Sequence, residues 1–357
     1  MSIKEIANLT GASVSTVSRV LRDPNHKCAS EEMRQKILQA ARDTHFVPNK
    51  SAQNLKTGRC EQTTPRYINI LLTRSSSEGS DPFFDEMLRL TEFELRNSGY
   101  IISNVWHKDE FSDEKFSMTE NISKLVCQMY ENNEHKSDGL VIIGKCCARG
   151  LKALRKFEKN LVAVSRNSAN FEVDEVLCDG RKIALMAMGY LARCGHNRIG
   201  YVGNCYEESR FYGYQEAQIQ YHLNINPDYV FSAIPSEEHG WQAMEYFLKL
   251  DVPPTGIYCA NDILAIGMLK CLSRHRNRHY LPSIIASDDI EQAQRTSPML
   301  SSVSLPKAEM IRLAVMLLTD RINGGHKSVL KLEFNGSLVI RESCRSLNEV
   351  HEPEYYI

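Results

Sequence analysis

Two neighbouring carboxylates, Asp288 and Asp289, are the residues of this chain that first suggest acid–base chemistry. Cleaving a glycosidic bond needs two carboxyl groups facing each other across it, about 5 to 10 Å apart. Adjacent residues on a strand point to opposite faces, so this pair does not supply that geometry. The other reactive residue types are no better organised for catalysis. Neither GxSxG nor HExxH occurs, and the eleven histidines are scattered. GxGxxG and GxxxxGKS/T are also absent, so no backbone-amide cradle for a nucleotide is expected. The eleven cysteines include no CxxC pair and no zinc spacing, and they read as free thiols. The vicinal Cys146 and Cys147 have the softness for a metal or for oxidation sensing, but no third and fourth ligand stands near them, so packing is their expected role. The residues therefore point away from an enzyme, and no cofactor and no metal is expected.

Residues 1–60 hold ten Lys and Arg against five Asp and Glu, a net charge of +5, while the remaining residues carry −6 of the chain's −1. A basic head on a mildly acidic body suits a phosphate-binding module attached to a second function, because cationic contacts to phosphates supply most non-specific DNA affinity. The elements that position those charges can be read directly. Ile3 to Leu9, then Thr10-Gly11-Ala12-Ser13, then Val14 to Leu21 reads as helix, tight turn, helix, with Ser13 as N-cap of the second helix. Ile6, Ala7, Leu9, Ala12, Val17, Val20 and Leu21 form the expected inward face, and Val14, Ser15, Ser18 and Arg19 the outward one. That outward face is the candidate DNA reader. A third helix is expected over Glu31 to Thr44, capped by Ser30, with Met33, Ile37, Leu38 and Ala41 inward. A helical docking module would share this pattern. Phe46 to Gly58 follows, helix-prone but with too little apolar area to be stable alone.

From Tyr67 onward the pattern changes. YINILL, YIISNV, GLVII, NLVAVS, RIGYVG, GIYCA and SIIAS are strand-like runs alternating with amphipathic helices, the signature of open parallel sheets. Two layered lobes are expected, and ligands of such folds bind at the carboxyl ends of the strands, in a crevice between lobes.

The string IKEIANLTGASVSTVSRVL and its spacing to FVPNKSAQNLKTG resemble the lactose-repressor and galactose-repressor (LacI/GalR) family of bacterial transcription regulators. The likeness continues in Asp81-Pro82-Phe83-Phe84, Gly195-His196-Asn197-Arg198-Ile199-Gly200-Tyr201, Ala260-Asn261-Asp262 and Leu338-Val339-Ile340-Arg341-Glu342-Ser343, and so spans residues 2–345. The resemblance implies an N-terminal all-α helix-turn-helix head plus an α/β effector domain of two parallel-sheet lobes, periplasmic-binding-protein-like. The implied organisation is a head over 1–46, a hinge helix over 47–58, a linker over 59–66, a two-lobed effector-binding and dimerisation domain over 67–345 and a short tail over 346–357. In that family the second helix enters the major groove, and the hinge helix folds on DNA and wedges a leucine into the minor groove. Carried over by position, Val14, Ser15 and Ser18 lie on the base-reading face, Arg19 pairs with guanine, Lys50 meets phosphate, Ala52 lies beside the minor-groove floor and Leu55 is the wedge. The loop Arg22 to Ala29 is about two residues longer than in the lactose repressor, so its contacts do not transfer.

For the effector, the resemblance implies a small carbohydrate held by Ser165, Arg210, Asn261 and Asp288, with Phe83 or Phe84 stacked on a ring. The family's usual Asp-Arg after the fourth strand is Ser165-Arg166 here, and its Gly-Phe-Asp-Asp is Ala286-Ser287-Asp288-Asp289. The longer head loop and the ending IRESC resemble the branch of evolved beta-galactosidase repressors, which points to a galactoside. The expected partners are near-palindromic double-stranded operator DNA, a carbohydrate effector and a second copy of the chain. The tail SLNEVHEPEYYI has no leucine heptads, so a homodimer rather than a tetramer is expected. No apolar run of eighteen residues and no secretory h-region appears, so no membrane partner and a cytoplasmic, nucleoid-associated location are expected. The alternative is a sugar-binding protein without a DNA-regulatory role; a transporter's solute-binding protein would carry a signal peptide and no helix-turn-helix.

Overall fold

The computed structural model describes residues 3–22, 30–44, 46, 65–74, 81–112, 121–131, 135–168, 172–206, 208–275 and 280–348. At the N-terminus three helices form, α1 (Ile3–Thr10), α2 (Val14–Arg22) and α3 (Glu31–Asp43). Gly11 makes the turn between the first two at φ +72°, a conformation a side chain disfavours. Ser13 then caps α2, its Oγ accepting the Thr16 N–H at 3.1 Å, and Ser30 caps α3 by accepting from Met33 N at 3.2 Å. Ile6, Ala7, Val17, Val20, Leu21, Ile37, Leu38, Ala41 and Phe46 make the core of this head. Each large aliphatic buried there contributes about 1.5–3 kcal/mol.

One expected inward residue is corrected. Leu9 is 61% exposed, and Thr10 takes the buried place, its hydroxyl donating to Ile6 O at 2.8 Å. Thr10 lies four residues after Ile6 and three after Ala7, hence on their helix face, whereas Leu9 falls off it. Ala12 and Met33 pack against this core only partly buried.

The chain divides into two compact units, Met1–Leu177 with Lys307–Leu332, and Cys178–Pro306 with Glu333–Ile357. In the first, the strands β1 (Tyr67–Leu72), β2 (Ile101–His107), β3 (Gly139–Ile143), β4 (Leu161–Ser165), β5 (Asp174–Cys178) and β11 (Lys331–Phe334) form one sheet in the order β11-β5-β4-β3-β1-β2. The pairs β1·β2, β1·β3, β3·β4 and β4·β5 are parallel. Its helices are α4 (Pro82–Asn97), α5 (Ile122–Glu131), α6 (Ala148–Leu154) and α11 (Lys307–Ile322). β3 is buried along its whole length, as a parallel strand covered on both faces must be.

The second unit repeats the plan. β6 (Ile199–Gly203), β7 (Val230–Ser232), β8 (Gly256–Cys259), β9 (Ser283–Asp288), β10 (Ser301–Ser304) and β12 (Ser337–Val339) form a sheet in the order β12-β10-β9-β8-β6-β7. β12, a short returning edge strand, runs antiparallel to β10. The helices are α7 (Gly180–Arg193), α8 (Ser209–Gln220), α9 (Glu237–Phe247) and α10 (Asp262–Arg274). The seven strand-like runs of the sequence became β1, β2, β3, β4, β6, β8 and β9; β5, β7, β10, β11 and β12 were not foreseen. No helix among the described residues is long and apolar enough to cross a membrane.

α9 and α10 approach unusually closely. A Cβ on Gly240 would lie 2.0 Å from the Leu264 carbonyl oxygen, and one on Gly267 would lie 2.0 Å from that of Glu237. Backbone cannot yield as a flexible side chain does. Gly240→Ala is expected to destabilise by about 1–3 kcal/mol through overpacking, read as a lowered urea midpoint. An unchanged midpoint would mean that the two helices separate freely.

Candidate functional site

α2 presents one face outward. Val14, Ser15 and Arg19 are exposed and Ser18 is half-buried, while Val17, Val20 and Leu21 face the core. At 100° per residue, positions 14, 15, 18 and 19 occupy one arc of the helix. The arc begins at the capped N-terminus, where Ser13 Oγ also meets the hydroxyls of Ser15 and Thr16 at 2.8 Å each. No acidic residue stands in the first turn of α2, so the positive end of the helix dipole there has no local acid to offset it. The structure thus brings together Val14, Ser15, Ser18 and Arg19. Lys50, Ala52 and Leu55, the hinge over 47–58 and most of the long head loop lie outside the described residues.

In the second unit the predicted effector residues collect where strands end and helices begin. Arg210 lies in the first turn of α8 and is 2% exposed. Its Nε donates to Glu208 Oε1 at 2.8 Å, and its Nη1 donates to the carbonyl oxygen of Ala260. Burial by itself would lower the guanidinium pKa; the Glu208 carboxylate, with Asp288 behind it, overcomes this and holds Arg210 above its ordinary range. Asn261 is the N-cap of α10, its Oδ1 accepting from Leu264 N at 3.3 Å. Around them stand Tyr201, its ring tilted against those of Phe211, Tyr214 and Tyr258 with centroids 5.1 to 6.0 Å apart, and the Tyr258 and Ser287 hydroxyls are hydrogen-bonded at 2.9 Å.

Asp288 closes β9 with φ +127°, and Asp289 follows at φ +47°. The expectation that the pair sits on one strand with opposed side chains is therefore corrected: only Asp288 belongs to the strand, and Asp289 begins the turn. Two consecutive residues in this region cost about 1–3 kcal/mol each and persist only when their surroundings over-determine them. Here Arg341 Nη2 donates to Asp289 Oδ1 at 2.7 Å, Asp289 N donates to Ser302 Oγ at 3.1 Å, and Ile290 N donates to Asp262 Oδ2 at 2.8 Å. Asp262, left out of the predicted site, is fully buried and also accepts from Ser302 Oγ at 2.6 Å. Burial, then the nearby Asp288 charge, push its carboxyl up to about 7.

In the first unit Phe83 and Phe84 begin α4, capped by Asp81, and each is 6% exposed. The Phe84 ring packs beside Gly144, which stands at φ +108°. The Phe83 ring carries the Arg166 guanidinium 4.4 Å from its centroid, and Lys307 Nζ at 5.7 Å. Ser165 ends β4 and its Oγ bonds within its own turn, to the N–H and carbonyl of Asn167. In this structure these three predicted contacts serve packing and turn formation. A cavity of about 710 Å³ lies elsewhere in this unit, lined by Gln39, Arg42, Asp85, Glu92 and His107 among others. None of the predicted effector residues lines it. Sequence reasoning missed Glu208, Arg166 and Lys307. Glu208 had a signal, standing at a cap position just before Ser209-Arg210; Lys307 reaches Phe83 only through the fold.

Comparison with known proteins places these features. Residues 2–49 match the model of bacterial regulatory proteins, lacI family, and residues 188–344 match a periplasmic binding protein-like domain. The chain belongs to the LacI family. Over 97% of both chains it is 28% identical to the HTH-type transcriptional repressor CytR of Escherichia coli K12. Its fold is that of the transcriptional regulator CelR in complex with cellobiose, at TM-score 0.66 and 20% identity over 96% of this chain and all of that one. The lac repressor dimer bound to operator and the anti-inducer ONPF gives 0.63 and 18%, over 96% of this chain and 98% of the other. This LacI-family chain is thus a DNA-binding transcription regulator and not an enzyme.

Asp262 gives the regulator a pH signature. An unfolded aspartate titrates near 3.9, and Asp262 titrates at about 7 when folded. Between these values the folded protein holds a proton that the unfolded chain has released. This contribution is therefore lost as pH rises from about 4 to about 7, and is constant above. Asp262→Asn should gain melting temperature relative to wild type on going from pH 5 to pH 8. Equal differences at the two pH values would show that Asp262 is ionised throughout.

Proposed function

We propose that this LacI-family regulator is a repressor that reads a near-palindromic operator as a cytoplasmic homodimer, and that a small sugar-like effector sets its operator affinity. The observation that carries the effector reading is the buried Arg210, held charged by Glu208 and gathered with Asn261 and Asp288 at the carboxyl ends of the strands. A sugar presents hydroxyls in fixed directions, and a forked donor beside a carboxylate acceptor and an amide suits them. Rings near the cluster, Tyr258 among them, suit the apolar faces of a pyranose. Two proteins of this fold are described with sugars, CelR with cellobiose and a LacI-family regulator of Enterococcus faecium with ribose. Galactosides head the panel to be tried, on the sequence likeness given above.

On the DNA side, Arg19 reads a guanine, Val14, Ser15 and Ser18 lie against neighbouring base edges, and Lys50, Ala52 and Leu55 act at the hinge. Two-fold pairing of heads requires two related half-sites. The effector and the operator share one equilibrium. A sugar that shifts DNA affinity must be shifted by DNA to the same extent, typically by about 1–3 kcal/mol.

Fluorescence anisotropy against a near-palindromic DNA library, with and without mono- and disaccharides, tests this reading. Arg19→Ala should lose about 1–3 kcal/mol of discrimination at one base-pair position while keeping its non-specific affinity. Leu55→Ala should weaken specific binding. Asp288→Asn should weaken the sugar response by roughly tenfold, the loss of about one charge-assisted hydrogen bond, and leave sugar-free operator binding unchanged. Sugar binding without any preferred DNA sequence would leave only the effector half of the proposal standing.

A further inference from the structure

Outside the effector cluster, α9 and α10 carry a second set of polar residues that neither DNA reading nor effector binding uses. Cys271 and His275 are four residues apart and so share one face of α10. The end of the helix fixes their spacing. His275 is its C-cap, and its backbone N–H donates to Cys271 O at 3.2 Å and to Leu272 O at 3.1 Å. Glu245, in the last turn of α9, comes to the same place because the Gly240 and Gly267 contacts hold the two helices close. One ligand atom from each of Glu245, Cys271 and His275 lies within 4.8 Å of the other two.

We propose that Glu245, Cys271 and His275 form a zinc site that ties the C-terminal end of α10 to α9. Zinc accepts thiolate, imidazole and carboxylate at about 2.0–2.3 Å, which in a tetrahedron sets the donors about 3.3–3.8 Å apart. The observed separation needs at most a small closing movement, within reach of the Glu245 side chain. The donor set selects the metal class, because sulfur and imidazole favour zinc and its neighbours over magnesium or calcium, which take oxygen. An outer shell is already present. Trp241 Nε1 donates to Glu245 Oε1 at 2.9 Å, the kind of hydrogen bond that orients a ligating carboxylate. The negative end of the α10 dipole points to the same place and favours a cation there. Three protein ligands leave the fourth position to water. On binding, the Cys271 thiol gives up its proton to solvent and its sulfur bonds the metal, so uptake releases about one proton and strengthens with pH.

This site was not legible beforehand: the sequence reading expected no metal, since Glu245 stands twenty-six residues before Cys271 and only Cys271 and His275 share a local spacing.

The test uses the full-length chain, freed of metal with a chelator and titrated with zinc, with cobalt as a spectroscopic probe. Wild type should bind about one zinc per chain, raise its melting temperature on binding, and give a sulfur-to-cobalt charge-transfer band. Cys271→Ser should lose that band. Cys271 is buried, and its replacement risks the fold, so His275→Gln and Glu245→Gln at half-buried positions carry the decision. Each should bind at least tenfold more weakly and lose the zinc-dependent rise in melting temperature. Binding of zinc by both glutamine variants with wild-type stoichiometry and affinity would place the metal on other cysteines and overturn the proposal. So would the absence of zinc binding by wild type at micromolar concentration.

Discussion

Arg210 and Glu208 form the pair on which the strand-end cluster of the second unit depends. Moving a guanidinium out of water costs several kcal/mol even after relaxation, and Arg210 is buried. The cost is met by an arrangement that joins several elements. Glu208 serves at once as N-cap of α8 and as acceptor for Arg210 Nε. Ala260, whose carbonyl receives Nη1, is the residue after β8, and Asn261 beside it caps α10. Asp288 at the end of β9 adds its field. One side chain therefore links the segments following β6 and β8, at the strand ends where open α/β sheets present ligands. Removing the arginine would not only delete a donor. It would leave Glu208 buried without its cation.

The acids of the same region show a second constraint. Asp262 and Asp288 repel each other in a poorly hydrated setting, and the repulsion is relieved by raising Asp262 into the neutral range. Asp262 stays in place through the Ser302 hydroxyl and the Ile290 N–H, and the latter bond also clamps the turn whose residues stand at positive φ. Strain and carboxyl repulsion are thus held by the same few contacts. An aspartate that looks redundant beside Asn261 is what keeps the turn carrying Asp288 in shape.

Legibility followed the range of the interactions. The head could be read because its causes are local: Ser13 and Ser30 cap within three residues, and the apolar face repeats with the helix period. Leu9 failed because an apolar residue one step off the face looks the same in composition as one on it. The apolar strands were legible, and β5 was not, because DEVLC opens with two acids. Asp174 is buried there only because Arg321, His326 and Leu330 N, distant in the chain, converge on it. β10, with sequence SSVS, is hidden for the same reason: Ser301 and Ser302 spend their hydroxyls on Arg341 O and Asp262. Among candidate site residues, Arg210 and Asn261 stand out in the sequence through family likeness. The roles of Glu208 as partner and Asn261 as cap needed the fold.

α10 makes the contrast concrete. Its first turn gives Asn261 and Asp262 to the strand-end cluster, and its last turn gives Cys271 and His275 to the proposed metal site, about 20 Å away at 1.5 Å per residue. Close backbone contact through Gly267 ties this helix to α9 between the two ends. The outward face of α2 has no such dependence. Val14, Ser15, Ser18 and Arg19 need only a capped helix and the small core behind it, so changes to that face leave the head's fold intact. Changes at the strand-end cluster must keep a buried charge, a helix cap and a strained turn satisfied together. The substitutions of Ser for the family's usual Asp at position 165, and of Ala286-Ser287 for its Gly-Phe, fall at residues with few such obligations: Ser165 bonds only within its own turn, and Ser287 pairs with one tyrosine hydroxyl. Departures from a family pattern are tolerated first where the fold asks least of the residue.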